Sequence, residues 1–138
     1  MVKHETKIRV RYGETDQMGY AYYGVYAQYY EVARVESLRS LGISYRKMEE
    51  DGIMLPVINF NINYKKPAFY DDEVRIVCMV KEIPSVRITF DYECYNQENE
   101  LLNTGTVTLV FVDKERKRPT LPPDFFVEVF EAKFNEEK

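Results

Sequence analysis

The sequence predicts an α+β domain with a long helix on one face of a mainly antiparallel sheet. Three observations lead there. An alternating, strand-like run at Lys7–Tyr12 feeds a helical stretch, Gly24–Leu41, that neither Pro nor a further Gly interrupts. Four more strand-like segments then follow one another between Val57 and Asp113. A last helical segment, Asp124–Phe134, comes after three closely spaced prolines, Pro119, Pro122 and Pro123.

Taken in order, Lys7–Tyr12 places Ile8, Val10 and Tyr12 on one face and Lys7, Arg9 and Arg11 on the other, the period of a half-buried strand. Gly24 opens the long helix and Gly42 stands where helices commonly stop. At 100° per residue its apolar side chains form no single stripe: Val25, Tyr29 and Val32 share a face, while Tyr30, Val35 and Leu38 lie elsewhere. That distribution predicts a helix buried on most sides. Glu31 and Arg34 stand three apart, a spacing that allows an ion pair along the helix. Ser44–Asp51 reads as a short helix with Ser44 as N-cap and Gly52 as its stop.

Val57–Tyr64 alternates clearly, Ile58, Phe60, Ile62 and Tyr64 against Asn59, Asn61 and Asn63, and Pro67 ends it. Glu73–Ile83 and Val86–Asn96 form a hairpin through the Pro84-Ser85 connection. Leu101–Asp113 is the last strand, and Gly105 inside it marks a bulge or a close approach. Lys114–Arg118 is a charged turn before the terminal helix, whose prolines sit where helix starts tolerate them.

The 138 residues suit a single domain, 1–138, with one core. An apolar share of 45% with 30% charged residues is globular, and no run approaches the ~18 apolar residues of a membrane span. The opening MVKHETKIRV turns polar too early for a secretory signal, so the expected location is the cytoplasm. Cys78 and Cys94 lack CxxC spacing and read as reduced core thiols; no metal-ligand cluster stands out. A formal charge of −4 opposes a nucleic-acid partner, although Lys65–Lys66, Arg87 and the Lys114–Arg118 run could meet a phosphorylated small ligand. With His4 the lone histidine and no GxSxG motif, the sequence disfavours a Ser-His-Asp hydrolase, and no dinucleotide or phosphate-loop fingerprint appears. A carboxylate mechanism remains.

The carboxylate is Asp16, in a loop between the first strand and the long helix, with Gly19 and Gly24 close behind. Backbone N–H groups at Tyr23, Gly24 and Val25 start the helix without intrahelical acceptors. A carboxylate beside such amides can activate water or attack while the amides polarise a carbonyl; the plainer reading is an Asp that caps a turn.

The stretch Tyr12, Gly13, Glu14, Thr15, Asp16, Gly19, then Tyr22, Tyr23, Tyr26 and Glu31-x-Ala33-Arg34 resembles the signature of the 4-hydroxybenzoyl-CoA thioesterase family, with its Tol-Pal-associated acyl-CoA thioesterase branch. A second element, Tyr64-x-x-Pro67-Ala68-x-x-Asp71-Asp72, is similar to another family motif, although a strand ending in a proline turn would also account for it. The resemblance covers roughly Lys7 to Pro123 and implies a hotdog fold: a curved, mainly antiparallel five-stranded sheet wrapped around the central helix. It also disfavours the histidine-dependent dehydratases of that fold, since His4 lies outside the loop.

The resemblance implies hydrolysis of an acyl-CoA thioester without any cofactor beyond the CoA of the substrate. Asp16 would act as general base or nucleophile and the Tyr23 or Gly24 amide as oxyanion donor. Gly19 and Tyr22 would help bind substrate, with Lys65, Lys66 and Arg87 as candidate partners of the CoA phosphates. Tyr23 and Val25 stand where the Tol-Pal-associated branch usually has His and Asn, while the 4-hydroxybenzoyl-CoA enzyme has tyrosine at the first of these. The family works as homodimers or homotetramers with sites at subunit interfaces, and twelve tyrosines suit such surfaces. Competing readings are a non-catalytic hotdog that binds acyl or aromatic ligands or partners acyl carrier protein, and a purely structural dimer module.

Overall fold

In the computed structural model, which describes residues 1–137, the chain opens with strand β1, Val2–Arg9. It is longer at its N-terminal end than the alternation from Lys7 indicates. The inward positions 4 and 6 are His and Thr, half-buried polar residues that hide the strand from a hydropathy reading. Tyr12, expected to face inward with Ile8 and Val10, is instead 80% exposed, because the chain leaves the sheet after Val10 and makes a one-turn 3₁₀ helix at Tyr12–Glu14.

Helix α1, Val25–Ser40, and helix α2, Tyr45–Glu50, agree with the expected segments to within one or two residues. Ser44 caps α2 as its sequence position suggests, accepting from the Lys47 amide at 3.1 Å. The expectation that α1 is buried on most sides is corrected. Its buried residues are Val25, Tyr26, Tyr29, Tyr30, Ala33, Arg34, Ser37 and Leu38, one stripe recurring every four residues, while Val32 is 44% exposed. The stripe escapes a hydropathy plot because tyrosines, Arg34 and Ser37 occupy it. Arg34 therefore turns inward, and the Glu31–Arg34 ion pair does not form among the described residues.

Strands β3 (Val57–Tyr64), β4 (Glu73–Val80), β5 (Arg87–Tyr95) and β6 (Leu101–Val110) join β1 in an antiparallel sheet of order β1-β4-β5-β6-β3. A two-residue β2 (Ile53–Met54) forms a second, small sheet with β7 (Val112–Asp113) and β8 (Arg118–Pro119). The expected last strand is thus broken at Phe111. Val110 and Phe111 are both buried in succession, which ends the alternation, and Phe111 turns toward Phe126 of helix α3 (Asp124–Glu136) at 5.1 Å. The β4–β5 connection is also longer than Pro84-Ser85, since β4 ends at Val80.

Helix α1 lies on the sheet through Tyr30, which is fully buried and stacks on Tyr92 of β5 with ring centroids 4.1 Å apart. Its hydroxyl donates to Asn103 Oδ1 of β6. Gly105 marks the close approach that its position suggests, because a Cβ there would stand 2.5 Å from the Tyr30 ring. Burial pushes both thiols, Cys78 and Cys94, up to about 12, and they are free and buried. The five-stranded antiparallel sheet with the long helix on one face is the hotdog arrangement implied by the sequence. β3 stands at the rim of the sheet, paired with β6, and its alternation does not mark a buried face, since Ile58, Phe60 and Tyr64 are 40–47% exposed. No helix among the described residues is long and apolar enough to cross a membrane.

Candidate active site

Asp16 occupies a tight loop closed by its own backbone. The Asp16 amide donates to the Tyr20 carbonyl at 2.8 Å, the Gly19 amide donates to the Asp16 carbonyl at 3.0 Å, and Thr15 bridges to Ala21. Gly19 has φ +81°, the left-handed region a side chain would strain. Asp16 Oδ1 accepts the Met18 and Tyr20 amides at 2.9 and 3.2 Å, while Oδ2 accepts no hydrogen bond among the described residues. One carboxylate oxygen thus caps the turn, the plainer role expected of this residue, and the other stays available.

Glu14 anchors the loop's entry. Its Oε1 accepts the Tyr29 hydroxyl of α1 at 2.8 Å and the Arg11 amide at 2.9 Å, and its Oε2 accepts Arg11 Nη2 at 2.7 Å. Burial works to raise this carboxyl, but the hydrogen bonds from Arg11 and Tyr29 outweigh it and hold Glu14 below the usual carboxylate range. The Tyr29 hydroxyl is raised well above its ordinary value by burial and by Glu14, so it donates.

The second sequence element closes over the first. The Ala21 amide donates to the Ala68 carbonyl at 2.7 Å, Tyr20 bridges to Phe69, and Tyr64 Oη donates to the Tyr23 carbonyl at 2.8 Å. Asp72 Oδ2 takes the Phe69 amide at 2.8 Å and its carbonyl takes the Val10 amide at 2.9 Å, fixing the turn after Pro67. Gly24 stands at the N-cap of α1, and the Tyr23 and Gly24 amides donate to no acceptor among the described residues. A Cβ on Gly24 would meet the Tyr22 ring at 2.6 Å.

Between these walls lies a cavity of about 270 Å³ lined by Asp16, Met18, Tyr20, Ala21, Tyr23, Tyr26, Tyr64, Lys65, Lys66 and Pro67. The structure thus brings Asp16, Tyr23, Lys65 and Lys66 to one cavity. The Tyr22 ring packs at a tilt against Tyr23, centroids 4.7 Å apart, outside that lining. Lys66 is paired with Glu100, whereas Lys65 has no carboxylate partner among the described residues. Arg87 lies elsewhere, at the start of β5, on a separate cavity shared with Lys81, Pro84 and Asp91. Of the residues around Asp16, sequence reasoning did not assign site roles to Tyr20, Tyr26 and Tyr64; Tyr64 was visible as the first residue of the second motif. A larger cleft, about 670 Å³, separates α1 from α2, but it holds neither Asp16 nor the helix start, and its Arg39 and Arg46 are paired with Glu36 and Glu50.

Comparison with known proteins agrees with this architecture. Residues 10–130 match the family described as the thioesterase-like superfamily. The chain is similar to the crystal structure of a DHNA-CoA thioesterase from Staphylococcus aureus, with TM-score 0.90 and 37% identity over 100% of this chain and 97% of that one. It is 36% identical over 113 residues to YneP of Bacillus subtilis, covering 82% of each chain. The acyl-CoA thioesterase YbgC of Haemophilus influenzae is 29% identical over 117 residues, 84% of this chain and 85% of the relative. By the matched residues, the order of its sheet and these relatives, the chain belongs to the thioesterase-like superfamily and carries its hotdog fold.

Proposed function

We propose that this protein is an acyl-CoA thioesterase whose acyl group occupies the cavity beside Asp16. The observation that carries the reading is that Asp16, whose Oδ2 accepts no hydrogen bond among the described residues, and Tyr23, whose amide donates to none, line one cavity, with the equally uncommitted Gly24 amide next in the chain. In this mechanism a water oxygen adds to the thioester carbonyl as Asp16 takes its proton, and the Tyr23 and Gly24 amides hold the oxyanion. Collapse breaks the carbon–sulfur bond, and the proton passes to the departing thiolate. The same residues serve the nucleophilic route, in which Asp16 forms a mixed anhydride that water then opens.

Tyrosines 20, 23, 26 and 64 make the wall aromatic, which favours an aromatic acyl group through ring stacking. The name of the Staphylococcus aureus relative points the same way. Lys65, without a carboxylate partner among the described residues, would meet a CoA phosphate in this reading, with Lys66 beside it on the cavity lining. The unpaired rim of β3, with Ile58 and Phe60 exposed, supports assembly with a second copy into a dimer or tetramer. Arg87 joins the site only if another copy brings it. The working compartment in this reading is the cytoplasm, and no cofactor is required.

The test is thiol release from acetyl-, palmitoyl-, benzoyl- and 1,4-dihydroxy-2-naphthoyl-CoA, with Asp16→Asn alongside. The expected result is hydrolysis that prefers the aromatic esters and falls by about 10²–10⁴ in the variant. A folded protein inert on every ester, or an Asp16→Asn protein within a few-fold of the native one, would overturn the proposal.

A further inference from the structure

We infer that Tyr64 is a positioning residue whose hydroxyl sets the direction and strength of the Gly24 N–H at the proposed oxyanion site. The inference rests on the thioesterase reading above, and its evidence is a single peptide unit seen from both ends. Tyr64 Oη donates to the Tyr23 carbonyl at 2.8 Å, across 41 residues of sequence. The peptide between Tyr23 and Gly24 is planar and trans, as no cis bond occurs among the described residues, so its C=O and N–H point in opposite directions. Holding the carbonyl therefore aims the amide.

The hydroxyl also takes that carbonyl away from the helix. Gly24 already has helical angles, φ −72° and ψ −18°, and a regular α-helix would give the Tyr23 carbonyl to the Ala27 amide four residues on. The Ala27 amide donates to Gly24 instead, at 3.3 Å, and Tyr23 receives Tyr64. Without the phenol the helix could lengthen by one residue and turn the Gly24 peptide into its own first turn. A carbonyl that accepts a hydrogen bond also polarises its amide, so the Gly24 N–H becomes a better donor to developing negative charge.

Tyr64 is suited to this task. It ends β3 opposite Asn103 of β6, and the next two amides, Lys65 and Lys66, both donate to Leu102 at 2.7 and 3.0 Å. Its ring meets Tyr26 edge-on at 5.8 Å. Burial, and then Tyr23, raise its hydroxyl above the ordinary tyrosine value, so it remains a donor through neutral pH. The anchor thus sits on the sheet, while the group it aims sits on the helix.

Tyr64→Phe keeps the ring that lines the cavity and removes only the donor. With the best ester of the panel, kcat is expected to fall roughly three- to tenfold, the scale of one net hydrogen bond, with KM within about twofold of native. In the same variant the NMR signals of the Tyr23 carbonyl carbon and the Gly24 amide should move, while signals from β4 and β5 stay. An unchanged kcat with unmoved signals, or a raised KM with native kcat, would overturn the positioning role while leaving Asp16-dependent hydrolysis intact. If the native protein hydrolyses no ester, the activity reading fails by itself. The two NMR signals then decide this inference: moving supports it and staying overturns it.

Discussion

Replacing Gly105 by alanine tests how tightly α1 is seated on the sheet. The added Cβ would lie 2.5 Å from Tyr30 Cε2, 2.8 Å from the Tyr30 hydroxyl oxygen and 2.9 Å from the Asn61 carbonyl oxygen. Carbon atoms in comfortable contact sit about 3.5–4.0 Å apart, so the ring must retreat by about 1 Å. It has nowhere to go, being fully buried with Tyr92 stacked 4.1 Å away and nearly parallel, 6° between planes. The Asn61 carbonyl belongs to the paired backbone of β3, so it cannot swing aside like a side chain.

Overpacking of this kind costs about 1–3 kcal/mol. Pulling the Tyr30 hydroxyl off Asn103 Oδ1 leaves buried polar atoms unpaired, which adds about 1–3 kcal/mol. The better strand conformation of alanine returns about 0.5–1 kcal/mol. The expected net loss is about 3 kcal/mol, measured as the shift in urea unfolding at matched protein concentration. Gly13→Ala is the control: nothing stands within 4 Å of its Cβ, so it should stay within about 0.5 kcal/mol of native. Adding Tyr30→Leu to Gly105→Ala should show strong coupling, because the smaller side chain removes the clash. A Gly105→Ala protein as stable as the control would refute the argument that Tyr30 is fixed against β6.

Other consequences follow from the loop and its cations. Glu14→Gln should lower stability by about 1 kcal/mol at neutral pH, as its ion pair with the exposed Arg11 is weak and the Tyr29 bond matters more. Because Glu14 is held below the usual carboxylate range, its contribution is complete above the ordinary value and disappears as pH falls through the lower folded one. The gap between native and variant unfolding curves should therefore close below about pH 4; a gap that persisted or widened there would contradict the assignment. Gly19→Ala should cost about 1–2 kcal/mol for the left-handed backbone and reduce turnover by displacing Asp16, with Gly19→Asn milder on both measures. Lys65→Ala should raise KM for acyl-CoA by roughly threefold or more at low salt and less at high salt. Lys66→Ala should have the smaller effect, because that ammonium already faces Glu100.

How much was legible depends on how local each signal is. Gly24 and Gly42 bound α1 to within a residue, Ser44 and Gly52 bound α2, and the alternation of Val57–Tyr64 matches β3. Each is a property of neighbouring residues: a cap, a stop or a period of two. The Asp16 loop was legible for a similar reason, since a carboxylate, a glycine with positive φ and a helix start must follow one another to build it. Less visible was anything where a polar side chain does an apolar position's work. His4 and Thr6 concealed half of β1, and Arg34 and Ser37 concealed the buried stripe of α1.

By itself, then, the sequence determined the order of the five main strands and three helices, the family signature and the carboxylate of the candidate site. Tertiary structure alone decided which distant groups meet it. Only the pairing of β3 with β6 and the docking of residues 64–72 bring the Tyr64 hydroxyl to the Tyr23 carbonyl, and the same folding leaves Arg87 on another cavity. Composition cannot foresee this, because a hydrogen bond across 41 residues leaves no periodicity in the chain. It exists only once the sheet has fixed where each strand ends.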